Sequence, residues 1–175
     1  EITGNNADHG GGIYAWGSAN INIEGGNITG NTAACGGGIR IRDHAVCHIS
    51  GGEISGNATS NASSSWGGGG IAVSWANLYV TGGTITDNTT SGLGGGIRAD
   101  EGSTVSVTGG IIYGNQWTFG KSDLYATKGV NLTLLSASVM KPEAYNCWYD
   151  CENDQVYTAE VGAASLEQPC NLYAW

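Results

Sequence analysis

The residues best suited to bind a ligand are arginines and aromatic side chains that recur at fixed offsets along the chain. All three arginines, Arg40, Arg42 and Arg98, fall in two such columns. An arginine fork binds carboxylates in a bidentate manner, and aromatic rings offer flat apolar surfaces to sugar rings. The pattern predicts a binding face that comprises Tyr14, Trp16, Arg40, Arg42, Trp66, Trp75, Arg98 and Tyr125. Alternatively, the arginines stack on tyrosine and pair with Asp100 as ordinary decoration of a sheet surface.

Two carboxylates form a second pattern that bears on catalysis. Asp43 and Glu101 stand at matching offsets two repeats apart, and Trp75 occupies that offset between them. If successive repeats stack about 4.8 Å apart, these carboxylates lie about 9.6 Å apart. Inverting glycosidases separate their carboxylates by roughly 6.5–9.5 Å. A polysaccharide-active glycoside hydrolase is therefore an alternative function. Neither residue stands in surroundings typical of a catalytic acid, so no catalytic residue is predicted.

The cysteines favour a structural role over metal binding. They are Cys35, Cys47, Cys147, Cys151 and Cys170, an odd number that leaves at least one unpaired within the chain. The last three cluster near the end of the chain without a fourth zinc ligand close by. We therefore expect a disulfide in that segment and an extracellular setting, with no metal and no other cofactor.

Composition excludes several classes of protein. Of the 175 residues, 31 are glycine and only 12% are charged, and the formal net charge is −9. Glycine costs about 1 kcal/mol at a helical position, which argues against a helical bundle. Nucleic-acid binding needs clustered lysines and arginines, so nucleic acid is not an expected partner. No apolar run approaches the roughly 18 residues of a membrane span, so membrane insertion of this segment is not expected either.

A repeat must position the binding face. Gly-Gly-Gly-Ile recurs with its last residue at Ile13, Ile39, Ile71 and Ile97, and Ile-x-x-Asn recurs between these copies. A third element alternates apolar and polar residues and ends in Gly-Gly. Each repeat thus carries three short strand signals that cannot pair within the repeat through tight hairpins. Stacking of repeats pairs equivalent strands instead. This predicts an all-β fold, a right-handed parallel β-helix (solenoid) of about five rungs.

Stacking also predicts columns of equivalent side chains. One inward column is Ile13, Ile39, Ile71, Ile97 and Leu124, and another is Ile2, Ile28, Ile54, Ile85, Ile112 and Val139. The asparagines at positions 5, 31, 57, 88 and 115 predict a hydrogen-bonded ladder at a turn. The outward columns are Tyr14, Arg40, Ala72, Arg98, Tyr125 and then Trp16, Arg42, Ser74, Asp100, Thr127. An insertion that ends at Trp66 predicts a loop protruding beside this face.

The repeat stops near residue 140, which predicts two units. Residues 1–140 are expected to form the β-helix, and residues 141–175 a polar C-terminal cap stapled by a disulfide. Such a cap would protect the last rung from edge-to-edge association. The chain begins in mid-rung, so its first rung is expected to follow an upstream domain or to dock on another copy. A structural stalk or filament subunit that assembles end to end is therefore an alternative function.

The pairing of Gly-Gly-Gly-Ile with Ile-x-x-Asn resembles the repeats of bacterial cell-surface β-helix proteins. Polymorphic outer-membrane proteins and autotransporter-type adhesins alternate Gly-Gly-Ala-Ile with Phe-x-x-Asn, where this chain has Ile2, Ile28 and their equivalents. The resemblance covers residues 1 to about 139. Proteins with such repeats include adhesins, polysaccharide-degrading enzymes and spacers. Together with the outward columns, the resemblance leads us to expect a secreted or cell-surface segment that acts without catalysis in adhesion or glycan binding. The implied partners are an extracellular glycan or a host or cell-surface ligand, with end-to-end self-association as a further expectation.

Overall fold

The computed structural model describes residues 1–61, 66–118, 120–127, 129–134, 145–150, 155–160 and 171–173, which build three β-sheets. Sheet A contains β1 (Ile2–Thr3), β4 (Asn20–Ile23), β5 (Asn27–Thr29), β8 (Val46–Ile49), β9 (Glu53–Ser55), β12 (Asn77–Thr86), β15 (Thr104–Tyr113) and β19 (Asn131–Leu134). Sheet B contains β2 (Asn6–His9), β6 (Thr32–Cys35), β10 (Ala58–Thr59), β13 (Thr89–Thr90), β16 (Gln116–Trp117) and β17 (Gly120–Lys121). Sheet C contains β3 (Ile13–Ala15), β7 (Ile39–Arg42), β11 (Ile71–Ser74), β14 (Ile97–Ala99), β18 (Leu124–Ala126), β20 (Tyr145–Asp150), β21 (Gln155–Glu160) and β22 (Asn171–Tyr173).

The chain visits sheets A, B and C in turn and then returns to sheet A, so each circuit is one rung of a coil. Equivalent strands of successive rungs pair in parallel, as the register of Ile13 with Ile39 and of Ile71 with Ile97 shows. The Ile-x-x-Asn element aligns in the same way, with Ile2 opposite Ile28. The predicted all-β parallel solenoid of about five rungs is confirmed.

The interior of the coil is a single apolar cluster of mostly β-branched side chains. The inward columns are buried beyond the first rung, where Ile2 and Ile13 are partly buried: Ile39, Ile71 and Ile97 are fully enclosed, and so is Cys47. Alternate residues of each strand point to opposite faces, so the spacing of the isoleucines decides which face is the core. The register of the columns therefore also fixes which side chains reach the outer face. Of the predicted columns, Val139 lies outside the described residues.

The asparagine column forms a continuous ladder through the corner between sheets A and B. Asn57 shows the repeating unit: its backbone N–H and side-chain Nδ2 both donate to Asn88 Oδ1, at 3.0 and 2.9 Å. Nδ2 also donates to the backbone oxygen of Ile28 at 2.8 Å. Asn115 ends the ladder by donating from N and Nδ2 to Asp123 Oδ1, at 3.0 and 2.7 Å. Asp123 occupies the register position of Gly96, and its carboxylate takes the place of a further ladder amide.

Glycine is needed where neighbouring rungs approach too closely for a side chain. A Cβ on Gly69 would lie 2.4 Å from the carbonyl oxygen of Thr89 and 2.5 Å from that of Gly95. Because both contacts are with backbone, neither neighbour can move aside without disturbing the next rung. The Gly-Gly-Gly element thus lets the corner before each sheet C strand bend tightly against the rung beside it.

Sheet C continues past the last repeat. β20 pairs in parallel with β18, and β21 and β22 follow in antiparallel register. The side chains of Cys147, Cys151 and Cys170 lie outside those that the structure describes, and so does the predicted disulfide. Cys35 and Cys47 are both buried free thiols.

Candidate functional site

The outer face of sheet C brings the predicted column together. Tyr14 pairs in register with Arg40, Arg40 with Ala72, Ala72 with Arg98, and Arg98 with Tyr125. The exposure of these side chains differs sharply along the column. Tyr14 is 42% exposed, whereas Ala72 and Arg98 retain only 1% and 5%. We call this column, together with the corner that follows the sheet C strands at Trp16, Arg42 and Trp75, the arginine face.

Arg98 is engaged entirely by its own protein. Its Nη2 and Nε lie 2.8 and 2.9 Å from Asp100 Oδ1, and its Nη1 donates to the backbone oxygen of Trp66 at 3.4 Å. Its guanidinium lies over the ring of Tyr125, 5.5 Å from the centroid. Asp100 is also held by Ser74, whose Oγ donates to Oδ2 at 3.0 Å. The interpretation in which an arginine stacks on tyrosine and pairs with Asp100 therefore describes Arg98.

Arg42 and Asp43 form a second internal ion pair, at the surface. Arg42 Nε lies 2.7 Å from Asp43 Oδ2, and both side chains are about two-fifths exposed (38% and 43%). The hydrogen bond to Asp43, and after it one to Tyr14, raises the pKa of Arg42. Because the two opposite charges offset each other, the pair has no net charge. It offers a ligand hydrogen-bond donors from Arg42 and acceptors from Asp43.

Arg40 belongs to a cluster at the corner between sheets B and C. Trp66 is central to it: the ring stacks on His9 with centroids 5.2 Å apart and 12° between planes, and Arg40 lies 6.0 Å from its centroid. Arg40 Nη1 donates to the sulfur of Cys35. His9 also meets the ring of Tyr14, with centroids 5.7 Å apart. We call His9, Tyr14, Cys35, Arg40 and Trp66 the corner cluster.

Burial shapes the chemistry of the corner cluster. It lowers the pKa of His9, and the positive charge of Arg40 lowers it further, against a smaller opposing effect of Asp8. Cys35 is 2% exposed, yet it lies outside the main apolar cluster of the coil. Arg40 Nε and His9 Nδ1 are both buried without a hydrogen-bond partner. The cluster is therefore a half-covered polar site on the outer surface.

Sequence reasoning missed His9 and Cys35 as members of the site. The two residues pair in register on β2 and β6. Each immediately precedes the first glycine of a Gly-Gly-Gly-Ile element, 26 residues apart. That shared position could have predicted their place in the site. The glycines turn the chain from sheet B into sheet C, so the residue before them lies beside the first outward residue of the next sheet C strand.

The exposed aromatic side chains gather at one side of the molecule. In the part of the chain that the structure describes, the exposed large hydrophobic side chains are Tyr14, Trp16 and Trp75, at 42%, 66% and 56%. Tyr14 lies on β3, Trp16 follows that strand, and Trp75 follows β11 two rungs away. Two rung spacings amount to about 10 Å.

The chain fixes Trp75 in a strained conformation. Its φ of +52° lies in the left-handed region that non-glycine residues adopt at a cost of about 1–2 kcal/mol. Its ring lies against Gly102, where an added Cβ would come within 2.6 Å of the indole. The third rung is one residue shorter at this corner: Trp75 and Ala76 stand where the preceding rung has residues 43–45, so Asn77 pairs with Val46. One ring face is therefore held against the protein while more than half of the side chain remains exposed.

The two carboxylates of the catalytic alternative occupy separate surroundings. Asp43 is bound to Arg42, and Glu101 is an exposed residue near Gly129 of the following rung. Trp75 turns the corner of the rung between them. Within the described residues, no group of three or more His, Cys, Asp or Glu could hold a metal ion. The same residues include no helix long and apolar enough to cross a membrane.

Comparison with known proteins identified one relationship. A family model described as "Right handed beta helix region" matches residues 2–160. No curated protein and no solved structure matches the chain.

Proposed function

The chain belongs to the right-handed β-helix family, and on this premise we propose that it is a non-catalytic segment of a bacterial surface protein that binds an extracellular glycan. The family match agrees with the handedness predicted from the repeat. A β-helix fits either a structural or a binding repeat segment, so the choice between them depends on the outer surface. The proposal places the binding site on the arginine face.

The observation that carries the proposal is the gathering of exposed aromatic rings on the arginine face. Tyr14, Trp16 and Trp75 are the large hydrophobic side chains that the described chain leaves exposed, and they lie within three successive rungs. Scattered exposed apolar residues need no explanation, but a cluster on a rigid sheet is typical of an interaction site. The strained backbone of Trp75 supports the same view, because strain concentrates at functional positions.

The chemistry around these rings suits a sugar. Trp16 and Trp75 present flat apolar surfaces about two rung spacings apart, on the order of 10 Å. Between them the Arg42–Asp43 pair offers donors and acceptors side by side, and Asp100 adds an acceptor that Ser74 orients. Sugar hydroxyls both donate and accept hydrogen bonds, so paired charges are better partners than an isolated one. The support is also rigid, because these residues lie on or directly after sheet strands.

A glycan-array screen tests the proposal. The wild type is compared with a Trp16→Ala/Trp75→Ala variant, which removes the two most exposed rings. Tyr79→Ala is the matched control, because Tyr79 is an aromatic residue on sheet A that stacks on His48, away from the arginine face. We expect the double variant to lose retention while the control keeps it, with equal melting temperatures for the double variant and wild type. Arg98 is unsuitable for this test, because its loss would leave Asp100 unpaired.

Two results would contradict the proposal. Equal retention of all three proteins would place the glycan site elsewhere on the molecule. An array without any retained glycan would favour the structural alternative, in which the segment serves as a stalk or filament subunit.

A further inference from the structure

Arg40 is the one arginine whose charge has no carboxylate partner in the described chain. Arg42 pairs with Asp43, and Arg98 pairs with Asp100. Arg40 instead meets an aromatic ring and a thiol, Trp66 and Cys35. A thiol is a weak hydrogen-bond acceptor and carries no charge in its protonated form. Among the described residues, the guanidinium of Arg40 therefore has no counter-charge.

The surroundings of Arg40 make this lack of a partner costly. The side chain is only partly exposed, and its Nε is buried without an acceptor. Removing a charged group from water is unfavourable unless hydrogen bonds and an opposite charge replace the lost solvation. In the neighbouring pairs the protein itself supplies that opposite charge. At Arg40 no carboxylate of the described residues supplies it.

His9, next to Arg40 in the corner cluster, also has a buried nitrogen without a hydrogen-bond partner. This nitrogen is Nδ1, on a ring that stacks beside Arg40 on Trp66. Burial first, and the charge of Arg40 second, lower the pKa of His9. Two polar nitrogens, one on β2 of sheet B and one on β7 of sheet C, thus lack hydrogen-bond partners at one half-covered position.

We infer that the glycan bound by the arginine face is acidic, and that Arg40 receives the carboxylate of a uronic acid unit. This inference rests on the proposed function, which it narrows from glycans in general to polyanionic ones. A planar carboxylate matches the guanidinium fork and supplies the missing counter-charge. Tyr14, directly opposite Arg40 in register and 42% exposed, is placed to stack on the same sugar ring. The recognised chemistry is therefore a carboxylate next to an apolar sugar face.

The test uses an array in which each uronic-acid glycan is paired with its methyl ester. Esterification removes the charge and leaves the sugar backbone unchanged. We expect the wild type to bind the acid about tenfold or more tightly than the ester, since hydrogen bonds between charged groups are the strong ones. Arg40→Gln should abolish this difference, and Arg40→Lys, which keeps the charge but lacks the fork, should restore part of it.

The control is Tyr79→Ala, which removes an aromatic side chain of sheet A that stacks on His48, away from the arginine face. This variant leaves the charges of the face unchanged, so the preference for the acid should persist. Retention of acids and esters alike by the wild type would overturn the inference and leave the proposed function intact. A preference that survives Arg40→Gln would place the carboxylate elsewhere and overturn the assignment to Arg40. If no glycan of either kind is retained, the proposed function itself fails. The comparison of acid with ester needs no variant, so a folding defect in Arg40→Gln cannot hide the answer.

Discussion

Replacing Asn57 by alanine removes the central amide of the asparagine ladder. Asn57 is fully buried, and its side chain makes four hydrogen bonds. Nδ2 donates to the backbone oxygen of Ile28 and to Asn88 Oδ1, at 2.8 and 2.9 Å. Oδ1 accepts from the backbone N–H and the Nδ2 of Asn31, each at 3.0 Å. An alanine keeps the backbone bond to Asn88 and loses all four of these.

The cost follows from the groups that are left without partners. The N–H of Asn31, one hydrogen of its Nδ2, and the carbonyl oxygen of Ile28 each lose a hydrogen-bond partner in a buried corner. An orphaned buried group costs about 1–3 kcal/mol, so three at the lower part of that range give roughly 4 kcal/mol. A chain of this length loses about 2–4 °C of melting temperature per kcal/mol, which predicts a fall of roughly 10 °C.

The matched control is Asn5→Ala at the exposed end of the same ladder. There the backbone N–H still donates to Asn31 Oδ1 at 3.0 Å, and only the 2.9 Å bond from Nδ2 is lost. Because solvent can replace that bond, we expect a cost below about 1 kcal/mol. Urea titration of both variants, followed by circular dichroism, measures the difference. If Asn57→Ala is no more destabilising than Asn5→Ala, the ladder does not support the coil and the reasoning is refuted.

Three further predictions concern packing, a thiol and a histidine. Gly69→Ala should destabilise the coil by about 3 kcal/mol or more, because its Cβ would meet two backbone oxygens, whereas Gly25→Ala, with nothing within 4 Å of its Cβ, should be nearly neutral. Thermal denaturation compares them, and equal melting temperatures would contradict the close approach of the rungs. Burial raises the pKa of Cys47 to about 12, so iodoacetamide at pH 8 should leave this thiol unmodified until denaturant is added. Peptide mapping by mass spectrometry reads the labelling, and rapid modification in the native protein would show that the site is open. The pKa of His9 is lowered on folding, so the unfolded chain binds more protons in the interval below about 6.5 and acidification through that interval favours unfolding. His9→Phe keeps an aromatic ring against Trp66 and removes the titrating group. In urea titrations the stability of this variant should therefore fall less than that of the wild type when the pH is lowered from 7. An identical pH dependence of stability in both proteins would argue against the lowered pKa.

The fold could be predicted because each rung repeats the same pattern of glycines, buried isoleucines and a corner asparagine. The isoleucines after Gly-Gly-Gly and before x-x-Asn return at nearly constant spacing, and that spacing alone sets the register of sheets A and C. The insertion before Trp66 does not disturb it, since Ile39 still pairs with Ile71 across 32 residues. The asparagine ladder followed from the same periodicity.

The details of the site could not be predicted because they depend on residues outside the repeat. Trp66 follows the insertion. Its ring contacts His9 and Arg40 within the corner cluster, and its backbone oxygen accepts a hydrogen bond from Arg98. The repeat does not indicate where a residue of an insertion will pack, so the contact of Trp66 that helps to bury Arg98 could not be predicted from the sequence. The end of the ladder is similar: Asp123 stands in a glycine column, and only the structure shows its carboxylate reaching Asn115.

The most direct test of glycan binding at the arginine face is an NMR titration that follows the indole N–H signals of the six tryptophans. A glycan retained on the array is added to labelled protein, and Trp16→Phe and Trp75→Phe variants assign the two signals of interest. We predict that the signals of Trp16 and Trp75 shift together and saturate at the same ligand concentration. Shifts confined to the other tryptophans, with Trp16 and Trp75 unchanged at saturation, would contradict the assignment of the glycan site to this face.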